Sequence, residues 1–195
     1  MSRVIVITGP SGVGKGTLIR ALRARMPELV LAISATTRDP RCGERDGVDY
    51  HFLAPAEFER RVAAGEFAEH AEYSGRRYGT LRSELERGLE TGAAVVLEIE
   101  VQGARQVREA MPDAVAVFIA PPDERALRAR LTGRGTDSEQ QITRRLQTAR
   151  DELAAQDEFE HVIVNDDVTR ATDELTELIG GALGCELTKR KRRDR

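Results

Sequence analysis

The chain has 195 residues, of which 32% are charged and 4% are aromatic, and its net charge is −3 at pH 7. This balance argues against non-specific nucleic-acid binding through the whole surface, and two cysteines are too few for a disulfide framework or a zinc site. The N-terminal apolar run is too short for a signal sequence or a membrane span, so we expect a single-domain cytoplasmic protein with no nucleic-acid or membrane partner.

The first predicted element is a buried strand over Val4–Thr8, a short and mostly β-branched apolar run. It leads into a glycine-rich loop and then a helical pattern, and the loop reads Gly9-Pro10-Ser11-Gly12-Val13-Gly14-Lys15-Gly16-Thr17. Such a loop lets successive backbone N–H groups face an anion, and its lysine adds a charge for the outer phosphates. The sequence therefore predicts a phosphate-binding loop, with Gly16 where Ser or Thr usually follows the lysine. The alternative is a glycine-rich turn with an incidental lysine.

A second buried strand is predicted from Leu29 to Ser34, followed by a segment rich in arginine, glycine and hydroxyl groups. Ligands of open parallel sheets bind at the carboxyl ends of the strands. Arg38 and Arg41 are therefore candidates for a bidentate clamp on a second phosphate group. The alternative is a solvated loop with two surface arginines.

This segment resembles the signature of guanylate kinases in Thr36-Thr37-Arg38, Arg41, Glu44, Gly47 and Tyr50-His51-Phe52-Leu53. Later segments resemble the same family in the same order, namely Leu97–Gly103, Ile119–Pro122, Arg130–Gly135 and Val164–Asp167. The resemblance covers nearly the whole chain apart from residues 186–195. It implies an enzyme that transfers the γ-phosphoryl group of ATP to GMP or dGMP, with Mg²⁺, for GTP and dGTP supply and GMP recycling.

The resemblance also implies a GMP site formed by Ser34, Arg38, Arg41, Tyr50, Glu69, Tyr78, Thr80 and Glu100. Guanine presents two kinds of N–H donor on one edge, and a carboxylate such as Glu69 can accept from both. A hydroxyl of Thr80 or Ser34 can donate to guanine O6, whereas adenine presents the wrong pattern. Without the resemblance, Glu69 in its charged stretch would be read as a solvated carboxylate.

The middle of the chain predicts a helix from Pro55 to Gly65, a strand over 66–73, a turn over 76–80, a helix from Leu81 to Gly92, a strand over 93–99, a helix over 102–111 and a strand over 114–119. Glu98 and Glu100 lie at the end of the third core strand, where an acid that holds magnesium belongs. We expect Thr17, and Glu98 through water, to hold Mg²⁺. The family most often has Asp in place of Glu100, so contact of Glu100 with metal-bound water, with substrate or with neither stays open.

A lid is predicted from two helical patterns, from Pro122 to Leu131 and from Ser138 to Ala155, which are separated by Gly133-Arg134-Gly135. The resemblance implies that lid arginines close over the phosphates and neutralise their charge. The predicted catalytic residues are therefore Lys15, Arg38, Arg41, Arg130, Arg134 and Arg145.

The last predicted strand is His161–Val164, and by resemblance Asn165 and Asp166 flank the ATP base and join residues 9–17 in the ATP site. A final helix is marked by Leu175, Leu178 and Ile179. The basic tail over 186–195 is expected to be disordered.

The predicted fold is α/β: a parallel sheet of about five strands wrapped by helices. We divide it into a core (1–33, 81–125 and 156–185), a GMP-binding lobe (34–80) and a lid (126–155). Two other functions stay open, a related kinase with a different acceptor and a catalytically inactive guanylate-kinase-like module that binds proteins. The oligomeric state is undetermined by the sequence.

Overall fold

The computed structural model describes residues 3–73, 75–132 and 139–193, with the side chains of 139–144 and 185–193 outside the description. The strands are β1 (Val4–Thr8), β2 (Val30–Leu31), β3 (Ser34–Thr36), β4 (His51–Phe52), β5 (Phe67–Tyr73), β6 (Arg76–Leu81), β7 (Val95–Glu98), β8 (Val115–Ala120) and β9 (His161–Val164). The helices are α1 (Lys15–Arg25), α2 (Pro55–Ala63), α3 (Arg82–Glu90), α4 (Val101–Ala110), α5 (Glu124–Thr132), α6 (Glu139–Leu153) and α7 (Val168–Arg193), and a short 3₁₀ helix covers Gln156–Glu158.

A parallel sheet of five strands, in the order β2-β7-β1-β8-β9, confirms the predicted α/β class. In the β2–β7 pair Val30 lies opposite Val95, and in the β8–β9 pair Val117 lies opposite His161. All of β1 is buried. A strand buried on both faces reads as a continuous apolar run, which explains why the sequence identified β1.

A second sheet has the strand order β4-β3-β6-β5. Strand β3 pairs parallel with β4 and antiparallel with β6, and β6 pairs antiparallel with β5. The β5–β6 register shifts between Phe67 and Glu69, so this pair contains a β-bulge. All four strands come from residues 34–81, a range close to the predicted lobe.

Two predicted elements were wrong. The single strand predicted from Leu29 to Ser34 is split, because the chain leaves the first sheet after Leu31 and Ser34 begins a strand of the second. The turn predicted over 76–80 is strand β6 instead. Apolar periodicity does not report which sheet a strand joins, and the charged Arg76 and Arg77 hide the alternation of β6.

Helix α7 continues as far as Arg193 and so includes most of the basic tail over 186–195. After Gly184 the tail contains no Gly or Pro that would end a helix, and Lys and Arg are good helix formers.

Among the helices of the described ranges, α7 included, none is both long and apolar enough to cross a membrane.

Two compact units are found along the chain. One comprises Ile7–Pro27 and the described residues from Val115 onward, and the other comprises residues 3–6 together with Glu28–Ala114. In the second unit an apolar cluster under the four-stranded sheet contains Ala35, Phe58, Phe67 and Leu81. The rings of Phe58 and Phe67 are stacked with their centroids 4.4 Å apart. This cluster is the core that supports the second sheet.

Replacing Phe58 tests the importance of this cluster. Phe58 is 0% exposed, so Phe58→Ala is expected to lower the free energy of unfolding by about 3–5 kcal/mol through lost burial and a residual cavity. Urea unfolding followed by circular dichroism measures the change. The matched control is Val48→Ala, because Val48 is 52% exposed and its truncation is expected to cost less than about 0.5 kcal/mol. If Phe58→Ala lowered the free energy of unfolding by less than about 1 kcal/mol, the conclusion that this cluster is the core of the second sheet would be contradicted.

Candidate functional site

The predicted phosphate-binding loop connects β1 to α1, and α1 begins at Lys15 directly after Gly14. Three loop glycines adopt positive φ angles, 135° at Gly9, 82° at Gly12 and 102° at Gly14. The N–H group of Thr17 donates to the Gly14 carbonyl at 3.1 Å. The loop therefore ends at the N-terminus of a helix, where free N–H groups and the positive end of the helix dipole favour an anion.

The same glycines allow three elements to approach the loop closely. A Cβ atom at Gly9 would overlap the carbonyl oxygen of Ile119 in β8. A Cβ at Gly12 would lie 2.6 Å from the Leu131 side chain of α5, and one at Gly14 would lie 2.6 Å from the amide nitrogen of Asn165, which follows β9. The positive φ angles favour glycine at all three positions, and at Gly9 the packing against the β8 backbone requires glycine as well.

Lys15 is folded into this loop. Its Nζ atom donates to the carbonyl of Gly9 at 2.5 Å and to that of Pro10 at 3.4 Å. The residue is only 8% exposed. A positive charge is therefore held inside the loop by neutral carbonyl groups, which a phosphate group can replace as partners.

Two of the predicted lid arginines contact the loop. Arg130 in α5 donates to the carbonyl of Val13 at 2.9 Å and to that of Asn165 at 2.7 Å. Arg145 in α6 donates to the hydroxyl oxygen of Ser11 at 3.1 Å. The third, Arg134, and the predicted turn around it lie outside the described residues.

Glu152 is a loop contact that the sequence reading missed. Its Oε2 atom accepts a hydrogen bond from the backbone N–H of Ser11 at 3.2 Å, so a carboxylate lies against the predicted anion-binding loop. Glu152 follows Arg145 by seven residues, which is two helical turns, and the two share a face of α6. That spacing was the signal available in the sequence.

Asn165 and Asp166 have different surroundings. Asn165 is buried, and its Nδ2 atom donates to the Val13 carbonyl at 2.8 Å. Its Oδ1 atom is buried without a hydrogen-bond partner among the described atoms. Asp166 is exposed and accepts from Arg170 at 2.6 Å, and this pairing lowers the pKa of Asp166. Asn165 thus stabilises the glycine-rich loop through its hydrogen bond to Val13, whereas Asp166 is a surface carboxylate that pairs with Arg170.

In the second sheet, three predicted guanine-reading residues lie in one row across adjacent strands. Ser34 of β3 is opposite Thr80 of β6, and Thr80 is opposite Glu69 of β5. The Thr80 hydroxyl donates to Glu69 Oε1 at 2.8 Å. The antiparallel pairing therefore brings together residues that are far apart in the sequence.

The Glu69 carboxyl is buried, with only 3% of the residue exposed. Burial raises its pKa to about 7, against hydrogen bonds from Thr80 that lower it, and the nearby Glu100 charge also raises it. Glu100 itself has a buried Oε2 atom with no hydrogen-bond partner among the described atoms. Two acidic groups thus lie close together, which is the arrangement that a ligand with several N–H donors would satisfy.

The arginine-rich segment holds Arg38 in a bidentate pair with Glu44, with both nitrogen–oxygen distances at 2.9 Å. This hydrogen bonding raises the pKa of Arg38 and lowers that of Glu44. The guanidinium also lies 5.3 Å from the centre of the Tyr50 ring, and the rings of Tyr50 and Tyr78 meet edge to face at 6.3 Å. The structure therefore brings three of the predicted phosphate-binding side chains together.

Glu44 also accepts from the backbone N–H of Arg41 at 2.7 Å, while the Arg41 side chain is exposed. The sequence reading quoted Glu44 as part of a motif but gave it no role. Its position six residues after Arg38 was the available signal.

Comparisons with known proteins agree with this geometry. A family model described as guanylate kinase matches residues 1–182. The chain is 53% identical to a guanylate kinase of Rhodococcus jostii (strain RHA1) over 92% of this chain and 87% of that protein. It is 56% identical to a guanylate kinase of Frankia casuarinae (strain DSM 45818 / CECT 9043 / HFP020203 / CcI3) over 91% of this chain and 96% of that protein.

A solved structure gives the same result. The crystal structure of guanylate kinase from Anaplasma phagocytophilum is similar with a TM-score of 0.75 and 32% identity, over 91% of this chain and 85% of that chain. Since the family model spans most of the sequence and the relatives match along nearly their whole length, the chain belongs to the guanylate kinase family.

Proposed function

We propose that this chain is an ATP:GMP phosphotransferase that produces ADP and GDP. The observation that carries the proposal is the buried Glu69 carboxyl, which lies in a row with the hydroxyl residues Ser34 and Thr80. The same chain has a glycine-rich loop that ends at the N-terminus of helix α1. A sugar phosphate or a phosphopeptide would not require a buried carboxylate that accepts from two donors on one edge of a base.

On the donor side, the phosphates of ATP bind to the backbone of residues 9–17. Lys15 then exchanges the Gly9 and Pro10 carbonyls for phosphate oxygens, which is a gain because an anionic phosphate attracts the ammonium charge more strongly than a neutral carbonyl does. Arg145 already lies at Ser11 and adds positive charge there. In this proposal Arg134 has the same role, and Asn165 and Asp166 flank the adenine base.

On the acceptor side, ionised Glu69 accepts from N1–H and from the exocyclic amine of guanine. The unpartnered Glu100 oxygen is available for the second hydrogen of that amine. Ser34 and Thr80 provide hydroxyl groups in the same row, although Thr80 donates to Glu69 here and reaches O6 only if it rotates.

The phosphate group of GMP is bound by Arg38, Arg41, Tyr50 and Tyr78. Arg38 is already charged and oriented by Glu44, and a phosphate group takes the same bidentate geometry as a carboxylate. Glu44 is thus a positioning residue that holds the guanidinium in place until the substrate arrives.

The transfer needs little covalent chemistry from the protein. An oxygen of the GMP phosphate attacks the γ-phosphorus of ATP, the bond to the β–γ bridging oxygen breaks, and its electrons leave with ADP. The acceptor oxygen is already anionic, so a general base is not required. Positioning and charge neutralisation by Lys15 and the arginines therefore carry the catalysis.

Thr17 and Glu98 carry oxygen atoms of the kind that Mg²⁺ prefers, an exposed hydroxyl and a carboxylate. Within the described residues no three His, Cys, Asp or Glu side chains are grouped to hold a metal ion. This fits an ion that takes most of its ligands from substrate phosphates and water. When bound, Mg²⁺ supplies charge neutralisation at the phosphates; Thr17 and Glu98, the latter through water, are its proposed protein partners.

Acceptor specificity is tested by following ADP release with ATP and Mg²⁺ against GMP, AMP, CMP and UMP in parallel. Turnover with GMP is expected to exceed turnover with AMP by a factor on the order of 10⁴ in kcat/KM, because adenine leaves the buried acceptors unpaired. Faster turnover with another acceptor would overturn the guanine assignment. No turnover with any acceptor by a folded sample would instead favour a binding module.

The role of Lys15 is tested by Lys15→Ala. Loss of a charge aimed at the transferring phosphates is expected to lower kcat by at least about 10²-fold. Steady-state kinetics measures the effect. Arg20→Ala is the control, because Arg20 is an exposed cation on the same helix. A kcat near that of the unmodified protein in Lys15→Ala would refute the assigned role.

Glu69 predicts a pH dependence of GMP binding. Its pKa of about 7 in the free protein means that the carboxyl is protonated at lower pH, and a protonated carboxyl does not accept from both guanine donors. Binding therefore weakens as the pH falls, and the KM for GMP is expected to rise about tenfold from pH 8 to pH 6. Above pH 8 little further change is expected.

The GMP phosphate also titrates in this range, with a second pKa of about 6 as in other phosphate monoesters. The control is therefore Glu69→Gln, which removes the titrating carboxyl of the protein and leaves the titration of the substrate unchanged. The same slope in both proteins would show that Glu69 does not titrate in this range.

A further inference from the structure

Gly103 lies in the first turn of α4 and faces the Glu69 carboxyl. A Cβ atom built on Gly103 would overlap Oε2 of Glu69 and would lie 2.9 Å from its Cδ atom. Gly103 is itself buried. The space that the glutamate carboxyl occupies is therefore the space that any side chain at position 103 would need.

Helix propensity gives no reason for a glycine at this position. Glycine costs a helix about 1 kcal/mol relative to alanine, and Gly103 has no positive φ angle to justify it. Gly180 in α7 shows the contrast, because nothing lies within 4 Å of a Cβ built there. The close contact with Glu69 is the feature that sets Gly103 apart.

A second contact joins α4 to the strand that carries Glu69. Gln106 accepts from the backbone N–H of His70 at 3.1 Å and donates to the His70 carbonyl at 2.7 Å. His70 directly follows Glu69 in β5, which is an edge strand of the second sheet. Gln106 thus pairs with this edge as a neighbouring strand would. The bulge between Phe67 and Glu69 lies on the same stretch of β5.

We propose that α4 sets the position of the guanine-reading carboxylate, with Gly103 leaving the space for Glu69 and Gln106 holding the backbone beside it. Both are positioning residues, since they act through Glu69. The inference rests on the proposed function, in which Glu69 reads guanine. Beyond the proposed function, this inference states that acceptor specificity depends on helix α4, because the missing side chain at position 103 leaves room for the Glu69 carboxyl.

The contact also explains why a larger residue is expected to misplace the carboxyl rather than unfold the protein. The atoms that a Cβ would meet are the far end of a flexible side chain, Oε2, Cδ and Cγ of Glu69. That side chain can rotate away, at the cost of its hydrogen bond from Thr80. The shift would be on the order of 1 Å, which is enough to cost about 10²-fold when it affects a reacting or recognising group.

The main test is Gly103→Ala assayed with GMP and with IMP, whose base lacks the exocyclic amine. The KM for GMP is expected to rise at least about tenfold with the KM for ATP unchanged, and the GMP-over-IMP ratio of kcat/KM is expected to fall by a similar factor. Gly180→Ala makes the same chemical change in open space and is expected to match the unmodified protein. Gln106→Leu removes the second contact and is expected to change both quantities in the same direction.

Thermal unfolding gives an independent readout that does not require activity. If the cost of Gly103→Ala comes from the Glu69 side chain, the substitution lowers Tm in the unmodified protein. In a Glu69→Ala background it raises Tm, because only the gain in helix propensity is left. The same decrease in both backgrounds would overturn the inference and assign Gly103 to general packing.

The outcomes separate this inference from the proposed function. Absence of GMP phosphorylation by the unmodified protein would refute the function itself. An active protein whose Gly103→Ala variant keeps its KM for GMP and its GMP-over-IMP ratio would refute only the role of α4. Equal rises in KM for GMP and ATP would also refute it, since a positioning role predicts a change confined to the acceptor.

Discussion

The close approach of backbone at the glycine-rich loop is the constraint on which the rest of the site depends. Three positive-φ glycines let β8, α5 and the residue after β9 pack directly against the loop. A Cβ at Gly9 would overlap the backbone of β8, and one at Gly12 or Gly14 would meet the side chain of Leu131 or Asn165. Arg130 and Asn165 both donate to the loop carbonyl of Val13. The loop is therefore closely packed within its unit, and in our proposal it is also the surface that binds phosphate.

A second theme is that groups assigned to phosphate already have partners within the protein. Lys15 donates to loop carbonyls, Arg38 pairs with Glu44, and the Ser11 N–H donates to Glu152. Unpaired buried charges are costly, so these internal partners keep the side chains in place without substrate. In our proposal substrate binding exchanges one partner for another, which requires less free energy than desolvating a free charge.

In our proposal, guanine is recognised by buried carboxyl groups whose hydrogen bonding is completed only by the ligand. Glu69 is buried so thoroughly that its pKa rises to about 7, and Glu100 nearby has an oxygen without a partner among the described atoms. A ligand with N–H donors would satisfy both carboxyl groups, whereas one with acceptors would leave them unpaired. The cost of burying the carboxyl in the free protein is thus the origin of the proposed specificity. Gly103 is what allows that burial to be so complete.

The sequence by itself determined the parallel-sheet fold, because buried strands appear as local apolar runs, and it identified the family through the resemblance of several short motifs. It also named Ser34, Glu69 and Thr80, but only through resemblance. Their common row, the split of the strand predicted from Leu29 to Ser34, and the Glu44 and Glu152 contacts were decided by the tertiary structure. Strand pairing and side-chain burial join residues distant along the chain, and no local pattern records which of them meet.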